Sequence, residues 1–110
     1  MAFSQQTIDA VWAKATHCGS NNEANGYRKD QCTAWIKKSS YGTTGTYGWE
    51  IDHITPVSSG GTDNISNLRP LHWANNRARS DDRLNTTKPE VKSVSDENHR
   101  LDGNGNYKKM

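Results

Sequence analysis

The chain has 110 residues, enough for one domain around one modest core. Only 31% of its residues are hydrophobic and its mean hydropathy is −1.03, so its core is small. No segment of the sequence approaches the roughly 18 consecutive apolar residues of a membrane helix. The net charge of +2, carried by the first 80 residues, is weak evidence for a nucleic-acid partner. Because the N-terminus lacks the basic flank and apolar segment of a secretory signal, we expect a cytoplasmic protein; a secreted effector is the alternative.

The N-terminal segment predicts an amphipathic helix over residues 5–16, QQTIDAVWAKAT, for which Thr7 is a candidate cap. Its apolar residues recur at helical spacing: Ile8, Val11, Trp12 and Ala15. Residues 17–31 are rich in Asn, Gly and charge and predict a loop.

The middle of the chain is less regular. Residues 32–38, CTAWIKK, are compatible with a strand or a helical turn, and residues 39–48 predict a turn-rich connection. Residues 48–54, GWEIDHI, predict a strand because β-prone residues alternate there. One face of this strand carries Trp49, Ile51 and His53.

A second strand and a helix follow an irregular loop over residues 55–64. Residues 67–71 predict the strand, and residues 71–80, introduced by Pro70, predict the helix. The apolar stripe of this helix consists of Leu71, Ala74 and Ala78. Its polar side carries His72, Asn75, Asn76 and Arg79.

Beyond Asp81 the apolar periodicity fades, and residues 96–110 are almost wholly polar. We therefore predict a domain over residues 1–81, followed by a polar C-terminal extension over residues 82–110 that forms a mobile tail.

The two cysteines, Cys18 and Cys32, are too few for a zinc site built from thiolates alone. Without an export signal, a disulfide is not the default. We interpret them as packing residues, with a mixed metal site that also uses His17 and His72 as the alternative.

Residues 49–81, WEIDHITPVSSGGTDNISNLRPLHWANNRARSD, contain several short features in a fixed order. They are Asp52-His53, Pro56, Gly60-Gly61-x-Asp63, Asn67-Leu68-x-x-Leu71 and Asn76-x-x-Arg79. In order and spacing this segment closely resembles the HNH endonuclease family, and the residues before it resemble a compact bacterial and phage-type branch of that family. A lone Asp-His pair would carry almost no such information.

The resemblance implies an α+β fold with a ββα-metal core over about residues 48–80. It also implies hydrolysis of a nucleic-acid phosphodiester, with His53 as the general base that activates water. Asp52 and Asn76 would supply oxygen ligands to one divalent cation, Mg²⁺ or alternatively Mn²⁺ or Ni²⁺.

Other residues receive supporting roles from the same resemblance. Asn67 joins His53 and Asn76 in the catalytic set, because it would brace the loop and orient His53. Arg77, Arg79 and, more weakly, Arg69 would hold phosphates.

Many family members carry a Cys-x-x-Cys pair for structural zinc where this chain has His72 and Asn75. We therefore expect no structural zinc and expect packing of Trp35, Trp49 and Trp73 to hold the motif. His72 would support the site without binding metal, and Asn75 would be a residue on the helix surface.

Consecutive residues of a regular strand point to opposite faces, so Asp52 and His53 converge on one substrate only if the chain leaves strand geometry there. Pro56 and the Gly60-Gly61 pair favour such a departure.

We expect an enzyme that nicks DNA through phosphate contacts with little sequence specificity; a homodimer or larger assembly would allow both strands to be cut. The rival hypothesis is an HNH-like module that binds nucleic acid or protein without cutting. The sequence does not distinguish a phage packaging nuclease from a secreted toxin.

Overall fold

The structure is a computed structural model, and it describes residues 3–79 and 83–110. Within those ranges the strands form three antiparallel sheets, ordered β1-β2, β3-β4 and β5-β6-β7. The elements are α1 (Gln5–Trp12), α2 (Ser20–Ala24), β1 (Tyr27–Lys29), β2 (Trp35–Lys37), β3 (Trp49–His53), β4 (Leu68–His72), α3 (Trp73–Arg77), β5 (Val91–Val94), β6 (Glu97–Leu101) and β7 (Tyr107–Lys109). The predicted α+β class is confirmed.

The central unit is the β3–β4 hairpin followed directly by α3. The two strands pair in register from Trp49↔His72 to His53↔Leu68. Two short 3₁₀ helices, Val57–Ser59 and Ile65–Asn67, lie in the loop between them. The strand–loop–strand–helix order is the predicted one.

Helix α3 is shorter than the predicted helix over residues 71–80. Leu71 and His72 complete the pairing of β4 with β3, and the His72 ring then caps α3 by accepting a hydrogen bond from the Ala74 N–H. The strand ladder therefore outweighs the helical pattern at these two positions. The predicted end of the helix at Ser80 and the domain boundary at Asp81 lie outside the described residues.

The first helix is capped by Ser4 and not by Thr7, so the predicted cap is wrong. The Ser4 hydroxyl accepts from the Thr7 N–H at 3.2 Å. Helix α1 packs into the main core with strands β2, β3 and β4. That core contains Val11, Trp12, Ala15, Ile36, Trp49, Ile51 and Leu68.

Part of the predicted loop over residues 17–31 is regular structure, namely α2 and β1. Strand β1 pairs with β2, so the ambiguous segment 32–38 contains a short strand, Trp35–Lys37, and Lys38 begins a 3₁₀ helix. Strand β1 has only three residues, two of them charged, so it is too short to show the alternating pattern from which a strand is predicted.

The predicted mobile tail is wrong as a description of residues 91–110, which form the sheet β5-β6-β7. Its buried contacts combine a small apolar cluster, in which Val91 packs with Ala34 and Ala74, with several polar ones. The Asn98 side chain accepts from the Trp35 N–H at 2.7 Å and donates to the Trp35 carbonyl at 2.8 Å, and the Ser93 N–H donates to the Thr33 carbonyl. Such contacts leave no hydrophobic periodicity, which is why the sequence pattern does not reveal this sheet.

In the part of the chain that the structure describes, no helix combines the length and hydrophobicity needed to cross a membrane.

Candidate active site

The loop between β3 and β4 is tied together by the side chain of Asn67. Its amide oxygen accepts from the Thr55 N–H at 2.8 Å, and its amide nitrogen donates to the carbonyls of Thr55 at 3.0 Å and Thr62 at 2.8 Å. These three bonds fix both sides of the loop that leaves His53. The contacts agree with the bracing role expected of Asn67, whereas its catalytic role stays a prediction.

The His53 ring lies at the end of β3 and contacts the loop. Its Nε2 atom is 2.6 Å from Oδ1 of Asp63, and 24% of the His53 side chain is exposed. Because an ionised carboxylate only accepts hydrogen bonds, this contact favours the neutral tautomer with the proton on Nε2 and the lone pair on Nδ1. The ring can therefore accept a further proton at Nδ1.

Asp63 belongs to the Gly-Gly-x-Asp feature, but the sequence assigned it no role. Asn67 bonds the carbonyl of the preceding residue, Thr62, so the same brace holds Asp63 near His53. The only sequence signal for this contact is the spacing of the motif itself.

Asp52 is buried between two arginines, with 5% of its side chain exposed. Arg69 Nε donates to its Oδ2 atom at 2.7 Å, and Arg79 Nη1 donates to its Oδ1 atom. Arg79 Nη1 also donates to the carbonyl of His53 at 3.0 Å. Both carboxylate oxygens of Asp52 are thus bonded to guanidinium groups.

Asn76 contacts Glu50, a residue to which the sequence pattern assigned no role. Asn76 Nδ2 donates to Glu50 Oε1 at 3.0 Å, and Arg77 Nη2 donates to Glu50 Oε2 at 2.9 Å. Burial opposes ionisation of Glu50, but the bonds from Arg77 and Asn76 outweigh it and hold its pKa below the ordinary value. Glu50 and Asp52 share one face of β3, since they are two residues apart.

His72 and Asn75 do not lie on a helix surface, so that part of the prediction is wrong. Both are buried and bond to Asp30: the His72 N–H donates at 2.9 Å and Asn75 Nδ2 donates at 3.0 Å, both to Oδ2. Asn75 also exchanges two hydrogen bonds with the backbone of Val91 on β5. This polar cluster joins β4 and α3 to the C-terminal sheet.

The His72 ring is neutral. Burial lowers its pKa to about 4, against the opposing effect of the Nε2 bond to the Thr46 carbonyl. In the same cluster, burial raises the pKa of Asp30 although four hydrogen bonds oppose the shift. The Nδ1 lone pair of His72 accepts from the Ala74 N–H, and Nε2 donates to the Thr46 carbonyl, so neither ring nitrogen has a lone pair left for a metal. These contacts agree with a supporting role for His72.

The two cysteines are free thiols, with Cys32 buried and Cys18 half-buried. Burial, followed by the charge of Asp30, raises the pKa of Cys32 to about 12. Within residues 3–79 and 83–110, no group of three or more His, Cys, Asp or Glu side chains is placed to hold a metal ion. The alternative site from His17, Cys18, Cys32 and His72 is therefore not formed by the described residues.

Strand β3 keeps regular pairing through His53, so the expected departure from strand geometry begins one residue later, at Ile54. Asp52 consequently contacts the arginines from β4 and the chain after α3, while His53 contacts Asp63 in the loop. The sequence-predicted residues fall into three adjacent groups: Asp52 with Arg69 and Arg79, Asn76 with Arg77, and His53 with the loop that Asn67 braces.

The donor set suits a hard divalent cation. Asp52 supplies carboxylate oxygens, Asn76 supplies an amide oxygen, and α3 packs against β3 on the Glu50 side. Since both Asp52 oxygens accept from arginines, a cation would have to replace at least one guanidinium group. The residues therefore fit such an ion in chemistry, with the arginines as its competitors.

Comparison with protein-family models gives one finding: residues 30–82 match the HNH endonuclease family. The chain therefore carries a domain of that family. No curated protein and no solved structure matches the chain.

This match indicates nuclease-type activity on nucleic acid. Members of the family are generally phosphodiester hydrolases that use a divalent metal. The matched segment begins at Asp30, so it includes the buried Asp30–His72–Asn75 cluster as well as the β3–β4–α3 unit.

Proposed function

We propose that this protein is a metal-dependent HNH endonuclease that hydrolyses DNA phosphodiester bonds and cuts one strand per site. One observation carries the proposal: the His53 imidazole, held at Nε2 by Asp63, lies directly after the buried carboxylate of Asp52 at the end of β3. A general base beside an acidic metal ligand is the arrangement that phosphodiester hydrolysis requires.

His53 acts as the general base. Nδ1 accepts a proton from the attacking water, and the imidazolium that forms is stabilised by the Asp63 carboxylate at Nε2. Asn67 keeps the loop closed and thereby keeps Asp63 beside the ring. The expected contribution of such a base is about 10²- to 10⁴-fold in rate.

Asp52 and Asn76 would hold the divalent cation, proposed as Mg²⁺ with Mn²⁺ or Ni²⁺ as substitutes. When bound, such an ion neutralises charge on the phosphate and stabilises the leaving oxygen. The chain's own contribution is to bury Asp52, so that its attraction for a cation would be little screened by solvent once one of its arginines is displaced.

Arg69 and Arg79 serve two roles in this proposal. Without substrate they neutralise Asp52, and with substrate they hold the phosphates that draw them away. Arg77, whose side chain is 56% exposed, is the third phosphate contact. Because the described contacts include no element placed for base readout, we propose little sequence specificity.

The remaining expectations extend the proposal: products with 5′-phosphate and 3′-hydroxyl ends, a cytoplasmic location, and a bacterial or phage source. Cleavage of both strands would require a homodimer, a larger assembly or two successive nicks.

A non-catalytic binding module is the second candidate, and one observation favours it: both oxygens of Asp52 are bonded to arginines, which suits a purely structural carboxylate. The presence of His53, Asn76 and Asp52 on one unit favours the enzyme, because a binder needs none of the three in these roles.

Incubation with supercoiled plasmid separates the two candidates. We expect the wild type to convert plasmid to nicked circles with Mg²⁺ and not with EDTA, and we expect a folded His53→Ala variant to be inactive. His99→Ala, on β6, is the matched control and should cut like the wild type. If the wild type is inert with Mg²⁺, Mn²⁺ and Ni²⁺ yet retards DNA on a gel, the binding module replaces the enzyme.

A further inference from the structure

We propose that Glu50 is a positioning residue for Asn76: it fixes the orientation of the Asn76 amide and so presents the amide oxygen to the metal. This inference rests on the proposed function, because it assigns a role toward the same ion. Glu50 would not itself touch the metal or the substrate.

The contact between the two side chains is direct. Asn76 Nδ2 donates to Glu50 Oε1 at 3.0 Å and the pair is partly buried, which protects the bond from competing water. Glu50 lies on β3 and Asn76 on α3, so the bond also ties the helix to the strand that carries Asp52.

An asparagine side-chain amide has a nitrogen that donates hydrogen bonds and an oxygen that accepts them, and only the oxygen binds a hard cation. Glu50 as a carboxylate can only accept, so the nitrogen of Asn76 must face it and the oxygen must point elsewhere. A partner that both donates and accepts would allow either orientation. The acidic character of Glu50 is therefore what selects the orientation of Asn76.

Arg77 holds the Glu50 carboxylate that orients Asn76. Its Nη2 atom donates to Glu50 Oε2 at 2.9 Å and its Nε atom lies 3.4 Å from Oε1. Arg77 thus contacts both oxygens of Glu50 and holds the carboxylate in place, while Asn76 donates to Oε1.

The test is a double-mutant cycle read by isothermal titration with Mn²⁺ and, separately, Mg²⁺. Glu50→Gln removes the selection while keeping the shape, and we expect about a tenfold loss of metal affinity, the usual effect of losing a group that orients a ligand. Asn76→Asp has two equivalent oxygens and needs no orientation, so Glu50→Gln should cause no loss in that background. Glu90→Gln, which breaks a Glu–Arg pair with Arg100 on β6, is the matched control and should bind metal like the wild type.

Each outcome decides between the hypotheses. Equal losses in the wild-type and Asn76→Asp backgrounds would mean that Glu50 acts as a ligand or a general stabiliser, and would overturn the positioning role. If the wild type binds metal and cuts DNA while Glu50→Gln binds equally well, the positioning role fails and the proposed function stands. If the wild type neither binds metal nor cuts DNA, both fail. Thermal melts of all variants identify any loss caused by unfolding.

Discussion

Arg69 Nε donates to Oδ2 of Asp52 at 2.7 Å, and the carboxylate is 5% exposed. With Arg79 on the other oxygen, the residue expected to bind metal is bonded to two cations. A carboxylate in this state is a poor metal ligand, since an ion must displace a charged partner. The phosphate backbone of DNA is the natural competitor for these arginines.

We therefore predict that Arg69→Gln raises the Mn²⁺ affinity of the free protein several-fold while weakening DNA binding. The reason is that one competitor for Asp52 is lost together with one phosphate contact. Titration calorimetry and gel retardation measure the two effects. Arg100→Gln, which removes an exposed arginine of the C-terminal sheet, serves as the control. Lower metal affinity in a folded Arg69→Gln protein would contradict the competition.

A second prediction concerns the partner of the proposed base. Asp63→Asn should lower the rate of single-turnover cleavage by roughly tenfold, because the imidazolium loses its stabilising carboxylate. DNA affinity should change little. The exposed Asp96→Asn substitution in the β5–β6 turn has no such contact with His53 and should leave the rate unchanged. Wild-type cleavage by Asp63→Asn would remove Asp63 from the mechanism.

The brace made by Asn67 gives a third prediction. Asn67→Ala should lower the free energy of unfolding by about 1 kcal/mol, because three hydrogen bonds of a half-buried amide are lost. Cleavage should fall further than stability alone explains, since Asp63 is no longer held near His53. Denaturant titration and cleavage assays measure the two effects, with the exposed Asn64→Ala as control. Equal stability of Asn67→Ala and Asn64→Ala would show that the loop does not depend on Asn67.

The β3–β4–α3 unit could be predicted from sequence because its signals are local. Alternation from Trp49 to His53, breakers at Pro56 and Gly60, and the ordered motif all lie within one segment. The bond between Asp63 and His53 could not be predicted, because it depends on how the loop over residues 54–67 folds back. The same holds for the contact of Glu50 with Asn76, which joins a strand to a helix.

The C-terminal sheet escaped prediction for a different reason. Its anchor is Asn98, a polar residue whose two-way hydrogen bonding to Trp35 spans 63 positions of the chain. Asn75 was likewise interpreted as a surface residue because an amide on a polar helix face gives no sign of a buried partner. Hydrophobic patterns identify extended apolar cores, and this region has only a small apolar cluster around Val91, supplemented by amides and the Asp30 carboxylate.

A fourth prediction uses the neutral state of His72. Its folded pKa of about 4 lies below the ordinary 6.5, so the unfolded chain binds the proton more readily and the protein loses stability as the pH falls from about 6.5 to about 4. Between pH 7 and pH 4.5 we expect His72 to lower the free energy of unfolding of the wild type by about 2 kcal/mol. The His72→Gln variant should lack this part of the decrease. Urea titrations at the two pH values measure the difference. Parallel losses in wild type and variant would show that His72 is not the group responsible.

The measurement that tests the account most directly is single-turnover cleavage of an end-labelled DNA duplex by wild type and His53→Ala, with and without Mg²⁺. We predict metal-dependent cutting of one strand by the wild type, leaving a 5′-phosphate, and a rate at least about 10²-fold lower for the folded variant. Equal rates for the two proteins, or cutting by the wild type that persists in EDTA, would contradict the assignment of His53 as the base of a metal-dependent nuclease.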